Sequence, residues 1–497
     1  MAWRLALAIS GILIPFSLIY SYYRHKLNYF EHRGLPYVAA DILPSQRNSK
    51  HLLRSAYNHF KASTPIAGIF LHTTPAIVIL DLELVKRVLI DDFSNFSDRL
   101  SNQSLNKDFL YSLDNTEWQA LRRKLTPCFW SAKMGFIFPR VIRAAECLVA
   151  NADAVLPRER HTIDLQMLCT RYATDALVSC VFGVELDGAD ESVEALRWHI
   201  NELLTRECQT RFSANLMMTN TSLCWAKCTH AQVVSPNLSA HLADVVQKVL
   251  EQRRTHKTKR NDILQILIVM LSDEQNDRSE ANEADNERKA MELVKQSFAT
   301  LLTGFANTAT VLAHCLHELA CNVEIQRQLR QNIVSVLQNY ELEFSYEAMG
   351  HMYYLDQVVA ETLRKHPVTE MLMRHTLSDY PVPGSAYAIE RGTCVLIPVH
   401  AIHHDPTVYP SPEQFDPARF EAAAVMARHA CAYLPYDDGP RNCLGKRLSK
   451  MLIKVALVAL LRIYKVEEDA EHAEKSPTDS EAVAVSHRAI RIQMQRI

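Results

Sequence analysis

The run Tyr436-Asp437-Asp438-Gly439-Pro440-Arg441-Asn442-Cys443-Leu444-Gly445 places one cysteine between two glycines, at the entrance to a helix-forming stretch. A thiol at a helix start has its sulfur near free backbone N–H groups and the positive end of the helix dipole. Both favour the thiolate, which is the form that binds a metal such as iron. Gly439 and Gly445 remove side chains where a flat macrocycle would have to approach the backbone. Arg441 offers a cation for an acidic substituent on such a ring. A lone cysteine in a tight turn is more often a small buried hydrophobe, so this loop has to be weighed with the rest of the chain.

Two further spacings carry charge. In Glu361-Thr-Leu-Arg364 an acid and a base stand three residues apart, where they can pair on one helix face. In Trp118-Gln-Ala-Leu-Arg122 the four-residue spacing puts an indole N–H and a guanidinium on the same side. Taken singly, each fits a solvated helix face. Surface pairs of this kind contribute little.

Together the patterns resemble the cytochrome P450 superfamily. The Cys443 loop is similar to that family's haem loop (an aromatic residue, then Gly-x-Arg-x-Cys-x-Gly), with Tyr436 where the family has Phe. Glu361-x-x-Arg364, followed by Phe415-Asp-Pro-Ala-Arg419-Phe420, resembles the family's Glu-x-x-Arg helix and its Pro-x-Arg-Phe partner. The resemblance implies a buried ionic cluster of Glu361, Arg364 and Arg419 that locks the cysteine loop. Breaking one member of such a cluster costs roughly 3–5 kcal/mol. It also implies haem b (iron protoporphyrin IX) ligated by Cys443, with Trp118, Arg122, Arg374 and Arg441 at the propionates and Gly445 bare beside the ring. Bidentate geometry explains arginine at such sites. Phe93-Ser-Asn-Phe96, Ala120-Leu-Arg-Arg-Lys-Leu-Thr-Pro127, the run Asp356 to Pro367, and Pro412-Glu-Gln-Phe-Asp-Pro417 look like the insect microsomal branch, which is associated with clearing foreign compounds.

The chain departs from the family in Thr303-Gly304-Phe305-Ala306-Asn307-Thr308. The family usually has an acid and an alcohol where Ala306 and Asn307 stand. Gly304 leaves room for dioxygen. Asn307 can hold a water through its amide but relays protons poorly at neutral pH. Thr308 could substitute only if the helix were locally rewound, because a neighbour points about 100° away. Three readings follow. The first is a monooxygenase that inserts one oxygen atom from O2 into small apolar substrates, fed by NADPH through NADPH-cytochrome P450 reductase. The second is a haem-thiolate enzyme that isomerises or dehydrates a hydroperoxide. The third is a non-catalytic haem protein holding an apolar ligand. By resemblance, Phe109, Phe305, Val368, Met371 and Leu372 line the substrate pocket. Their apolar character points to an apolar ligand. Arg123, Lys124, Lys446, Arg447 and Lys450 would form a basic face toward an acidic partner.

These residues must be positioned by a mostly α fold with small β-sheets and a long central helix over the haem. Helical patterns cover Leu82 to Ile90, Thr116 to Lys124, Pro139 to Leu156, Asp164 to Phe182, Ser192 to Thr205 and Ser239 to Arg254. They continue over Ala290 to Cys321, Val323 to Leu337, Tyr353 to Lys365 and from Cys443 to about Tyr464. Asp273 to Arg288, with seven acids, two bases and no apolar residue larger than alanine, reads as a solvated loop. Short strands are expected at Ala76 to Leu80, Ala386 to Ile389 and Thr393 to Ile397, and a weak hairpin at Ala482 to Met494.

Length and composition agree. The chain has 497 residues, 48% of them hydrophobic, and a net charge of −2, which gives no pull toward nucleic acid. Its 12 cysteines show no framework spacing, and its 12 glycines are too few for a turn-rich all-β fold. Leu5 to Tyr23 is uncharged and almost wholly apolar, close to the length of a bilayer span. Residues 1–23 are therefore expected to be a transmembrane signal anchor, with a cleaved signal peptide as the alternative. Residues 24–50 read as a basic, proline-broken hinge, and 51–497 as the catalytic domain. Arg24, Lys26 and Arg33 after the anchor favour a cytosolic body. By resemblance the membrane is that of the endoplasmic reticulum.

Overall fold

The longest apolar stripe folds as one continuous α-helix, Glu280–Cys321, of 42 residues. Its neighbour Leu165–Phe182 is buried on nearly every side, as a helix that is apolar all round must be. Asp164 caps its start by accepting the Met167 N–H at 3.0 Å, and Gly183 ends it in the left-handed conformation. Ser131–Val155 packs against it and against the last long helix, Lys446–Leu461, which in turn lies along the central helix. The helical core gathers around these four.

The computed structural model describes residues 21–22, 24, 26–38, 49–71, 74–99, 110, 113–156, 162–184, 194, 198, 251, 255, 261–275, 280–469 and 490–497. The expected helices Ser192 to Thr205 and Ser239 to Arg254 lie almost wholly outside them, as does the anchor apart from Ser21 and Tyr22. Among the described residues no helix is long and apolar enough to cross a membrane.

Three small sheets accompany the helices. Strands β1 (Ile66–Leu71), β2 (Thr74–Ile79), β4 (Leu372–His375) and β7 (Cys394–Ile397) form one sheet in the order β1-β2-β7-β4. β2 runs parallel to β7, and the other pairs are antiparallel. Between β4 and β7 in the chain, β5 (Tyr380–Pro381) and β6 (Ala388–Ile389) pair with each other. β3 (Thr162–Asp164) and β8 (Tyr464–Glu468) flank β9 (Arg491–Arg496) in the third sheet.

Three expectations need correction. The acidic segment is not one solvated loop, because the central helix begins at Glu280. Glu, Ala, Arg and Lys are strong helix formers, and Asn286 and Ala290, four residues apart, turn inward and are buried. The helix expected from Pro139 starts at Ser131 and runs through the proline. Met134, Ile137, Phe138 and Val141 sit at helical spacing and are buried, and their packing outweighs the hydrogen bond that Pro139 cannot donate. The last helix stops at Leu461, and Tyr464 opens β8 instead. The hairpin expected at Ala482 to Met494 lies mostly outside the described residues, and its described end joins β9, which pairs with β8 and β3.

Residues 26–38, inside the segment read as a hinge, lie against the four-stranded sheet. Phe30 is fully buried on Gly68, where an added Cβ would come within 2.6 Å of its ring. Phe70 meets that ring edge-on at 4.9 Å and Tyr37 stacks at 5.6 Å. Arg33 and Tyr29 both donate to the Glu390 carboxylate beyond β6. Phe30→Ala should therefore destabilise the fold by about 3–5 kcal/mol. Urea denaturation would read this directly, and a loss below about 1 kcal/mol would mean that the segment is not part of the core.

Candidate active site

The Cys443 loop is closed by its own backbone. The Cys443 N–H donates to the Tyr436 carbonyl at 2.8 Å, and the Asn442 N–H to the Gly439 carbonyl at 3.1 Å. The helix then starts at Lys446 with Gly445 as its cap. Gly439 has φ +71°, and an added Cβ would lie 2.0 Å from the Leu89 carbonyl oxygen. Its missing side chain is thus required by the π-turn Arg87–Asp91 packed against the loop. Gly445 is different, since an added Cβ there would meet nothing within 4 Å.

Cys443 is one of nine described cysteines and, with Cys321, one of two that are exposed. Burial pushes its thiol up, but the Gly445 backbone N–H, Arg122 and Arg99 pull it back down. Cys128, Cys180, Cys315, Cys394 and Cys431 have no such guanidinium pair, and burial drives their thiols to about 12.

The arginines converge on this loop. Arg122 donates to the Asn442 carbonyl at 2.6 Å and to its side-chain oxygen at 2.8 Å. Asp114 caps the helix Asn115–Leu125 that carries it, accepting the Glu117 N–H at 2.9 Å. Trp118, one turn earlier, lies 4.3 Å from the Arg441 guanidinium, a cation–π contact. Arg441 also donates to the Leu113 carbonyl. Arg374, buried on β4, donates to both oxygens of Asp437 at 2.9 Å. Arg99 joins them by donating to Asp437 and to the Arg441 carbonyl. Sequence reasoning missed Arg99 and Asp437. Neither has a spacing signal, because their partners lie more than sixty residues away or across a loop.

Beneath the loop, Glu361 and Arg364 are completely buried and paired through two hydrogen bonds of 2.7 and 2.8 Å. Arg364 also donates to the carbonyls of His403 and Pro412, and Glu361 accepts the Asp416 N–H at 3.0 Å. Arg419 stands 3.5 Å from Glu361. His403, also missed from sequence, connects this cluster to the loop. Its Nε2 accepts the Leu434 N–H at 2.9 Å, so its Nδ1 carries the proton donated to the Arg364 carbonyl at 3.2 Å.

On the central helix, Gly304 is exposed, with nothing within 4 Å of an added Cβ. Asn307 is half-buried on the same side, three residues on. The helix is not rewound here. The Thr308 hydroxyl is buried, 2.9 Å from the Gly304 carbonyl and 3.0 Å from Ser449 of the cysteine helix. Ser449 in turn lies 3.4 Å from the Tyr436 hydroxyl. Of the expected pocket residues, Phe305 and Leu372 are buried and Val368 and Met371 are partly buried, while Phe109 lies outside the described residues. The Leu110 N–H donates to the Thr300 hydroxyl of the central helix at 2.9 Å.

Burial holds His403 neutral, with its pKa lowered from 6.5 to about 3. Between those values the unfolded chain binds the extra proton. Stability is therefore complete above pH 6.5 and falls with decreasing pH by up to roughly 1.4 kcal/mol per unit. His403→Gln should flatten that slope between pH 6.5 and 5, measured by denaturant titration across pH. An unchanged slope would mean that His403 protonates without unfolding. Glu318 adds acid sensitivity only at lower pH. Burial raises its carboxyl, but hydrogen bonds and charge from His366 and Lys365 bring it to about 2.

The donor set suits a haem: one accessible thiol flanked by guanidiniums, with open space at Gly304 and Gly445. The comparisons agree. The family model for cytochrome P450 matches residues 40–494. The chain is 33% identical to "Probable cytochrome P450 6a14" of Drosophila melanogaster over 478 residues, covering 92% of this chain and 93% of the relative. It is 32% identical to Cytochrome P450 6a2 of the same organism, covering 92% of each. The chain belongs to the cytochrome P450 family, with insect relatives of the 6a group, and is a haem-thiolate monooxygenase that carries haem b.

Proposed function

We propose that Cys443 would hold the haem iron through its thiolate and that the chain oxidises small apolar compounds, foreign or endogenous, in the membrane of the endoplasmic reticulum. One observation carries the assignment. Cys443 is the exposed cysteine whose thiolate form the nearby Arg122 and Arg99 guanidiniums favour. Trp118, Arg122, Arg374, Arg441 and Arg99 would hold the propionates. Glu361, Arg364 and Arg419 would keep the loop in shape from below. The bound haem supplies the activation of O2 and the insertion of one oxygen atom into the substrate.

The protein's own part is to hold the substrate, exclude bulk water and manage protons. Phe109, Phe305, Val368, Met371 and Leu372 would line the substrate side and favour an apolar molecule. The Thr308 hydroxyl is engaged with the Gly304 carbonyl and Ser449. We therefore assign the proton-carrying water to the Asn307 amide, beside the space at Gly304. Electrons would come from NADPH-cytochrome P450 reductase. Arg123, Lys124, Lys446 and Arg447 are exposed around the loop, with Trp130 also exposed nearby. This face offers a cationic landing site for an acidic flavoprotein. Residues 1–23 would anchor the chain, 24–50 would lead from the membrane, and 51–497 would form the cytosolic catalytic domain.

The carbon monoxide difference spectrum of the reduced protein should show a thiolate-type Soret band that disappears in Cys443→Ser. A band that survives the substitution would remove Cys443 from the iron. With reductase and NADPH, Asn307→Thr should raise the fraction of NADPH coupled to product by restoring a hydroxyl at the water site. Coupling that stays level or drops would show that Asn307 does not limit proton delivery. Turnover of added hydroperoxide without reductase, with no NADPH-dependent product, would favour the isomerase reading.

A further inference from the structure

Asp437 has φ +63°, a left-handed conformation that, after glycine, asparagine and aspartate adopt most readily. Its carboxylate is 6% exposed. Both oxygens lie 2.9 Å from Nη2 of Arg374, Arg99 donates to Oδ2, and Oδ1 also accepts the Asp438 N–H at 2.8 Å. A left-handed, non-glycine residue persists where its surroundings over-determine it. Here two guanidiniums from distant segments do so.

These are not ordinary surface arginines. Arg374 is fully buried, and Arg99 also donates to the Arg441 carbonyl. With Arg122 and Arg441 they bring four guanidiniums to the cysteine loop and its flanks. On the site reading above, on which this inference rests, the same arginines hold the two ring carboxylates. Asp437 is a third carboxylate, supplied by the chain, on the same cations. The geometry points to Asp437 as a positioning residue that shares Arg374 and Arg99 with the haem and keeps one negative charge beside the iron site.

Two consequences follow. A fixed negative charge in a low-dielectric site favours the more oxidised, more positive iron, so it holds the reduction potential down. A carboxylate that shares an arginine with a propionate also weakens the propionate's hold, because the guanidinium's charge is divided between two acceptors. Asp437 thus makes the haem harder to reduce and easier to release than the arginine set alone would.

The test uses the full-length holoprotein. Asp437→Asn keeps the side chain's shape and tolerance of the left-handed region but removes its charge. Spectroelectrochemistry should show the ferric/ferrous potential moved in the positive direction. Haem transfer to excess apomyoglobin should slow by about tenfold, the scale of one charge-assisted hydrogen bond. A potential that does not move overturns the inference. So does faster haem loss, which would mean that Asp437 only braces the arginines. If Asp437→Asn does not load haem, Asp437→Gly removes the carboxylate while suiting φ +63°, and the same two readouts decide. Loss of the thiolate-type band in Cys443→Ser, together with an unmoved potential in Asp437→Asn, would refute this inference and leave the ligand assignment standing.

Discussion

Burying Glu361 and Arg364 completely takes two charges out of water. Such a pair survives only when its remaining protons and lone pairs are also met. Here they are met by the rest of the fold. Arg364 reaches the carbonyls of His403, Pro412 and Gln414, and Glu361 takes the Asp416 N–H. The helix Tyr353–Lys365 is thereby bound to the turns that lead from residue 403 to Phe420. His403 carries the connection onward to Leu434, two residues before the loop that ends in Cys443. The loop is positioned from below by a set of polar contacts that is either complete or costly.

From the other side the loop is held by charge. Arg122 grips Asn442, Arg99 grips the Arg441 carbonyl, and Arg374 and Arg99 meet at Asp437. The guanidiniums come from three segments: the stretch after β2, the helix Asn115–Leu125 and strand β4. They lie near the sulfur because the four-stranded sheet and the helical core meet at this loop. Gly439, pressed on the Leu89 carbonyl, marks the contact between those two bodies. Loop geometry and sulfur electrostatics are therefore set by the same packing.

The central helix closes the site. Its apolar side is committed to the core through residues such as Leu302, Ala309 and Leu312, all buried. Thr308 is committed to the cysteine helix through Ser449. What remains beside the open position at Gly304 is an amide, Asn307, rather than an acid. The helix runs unbroken through this replacement, so the scaffold is kept whatever group stands there.

Much of this was legible in residue types and periods. Local spacing marked the Cys443 loop, the Glu361–Arg364 pair, Trp118 with Arg122, and the helix Tyr353–Lys365, because each depends on contacts within about one turn. The same local logic failed where helix propensity overrode polarity, at Glu280 to Arg288, and where packing overrode a proline, at Pro139. Arg99, His403 and Asp437 carried no signal. An arginine, a histidine or an aspartate acquires its role from a partner tens to hundreds of residues away or from a backbone angle that a distant charge holds in place. The sequence by itself determined which groups could do the chemistry. Only the tertiary structure decided which charges face one another, because pairing across segments depends on distance in space and not on order along the chain.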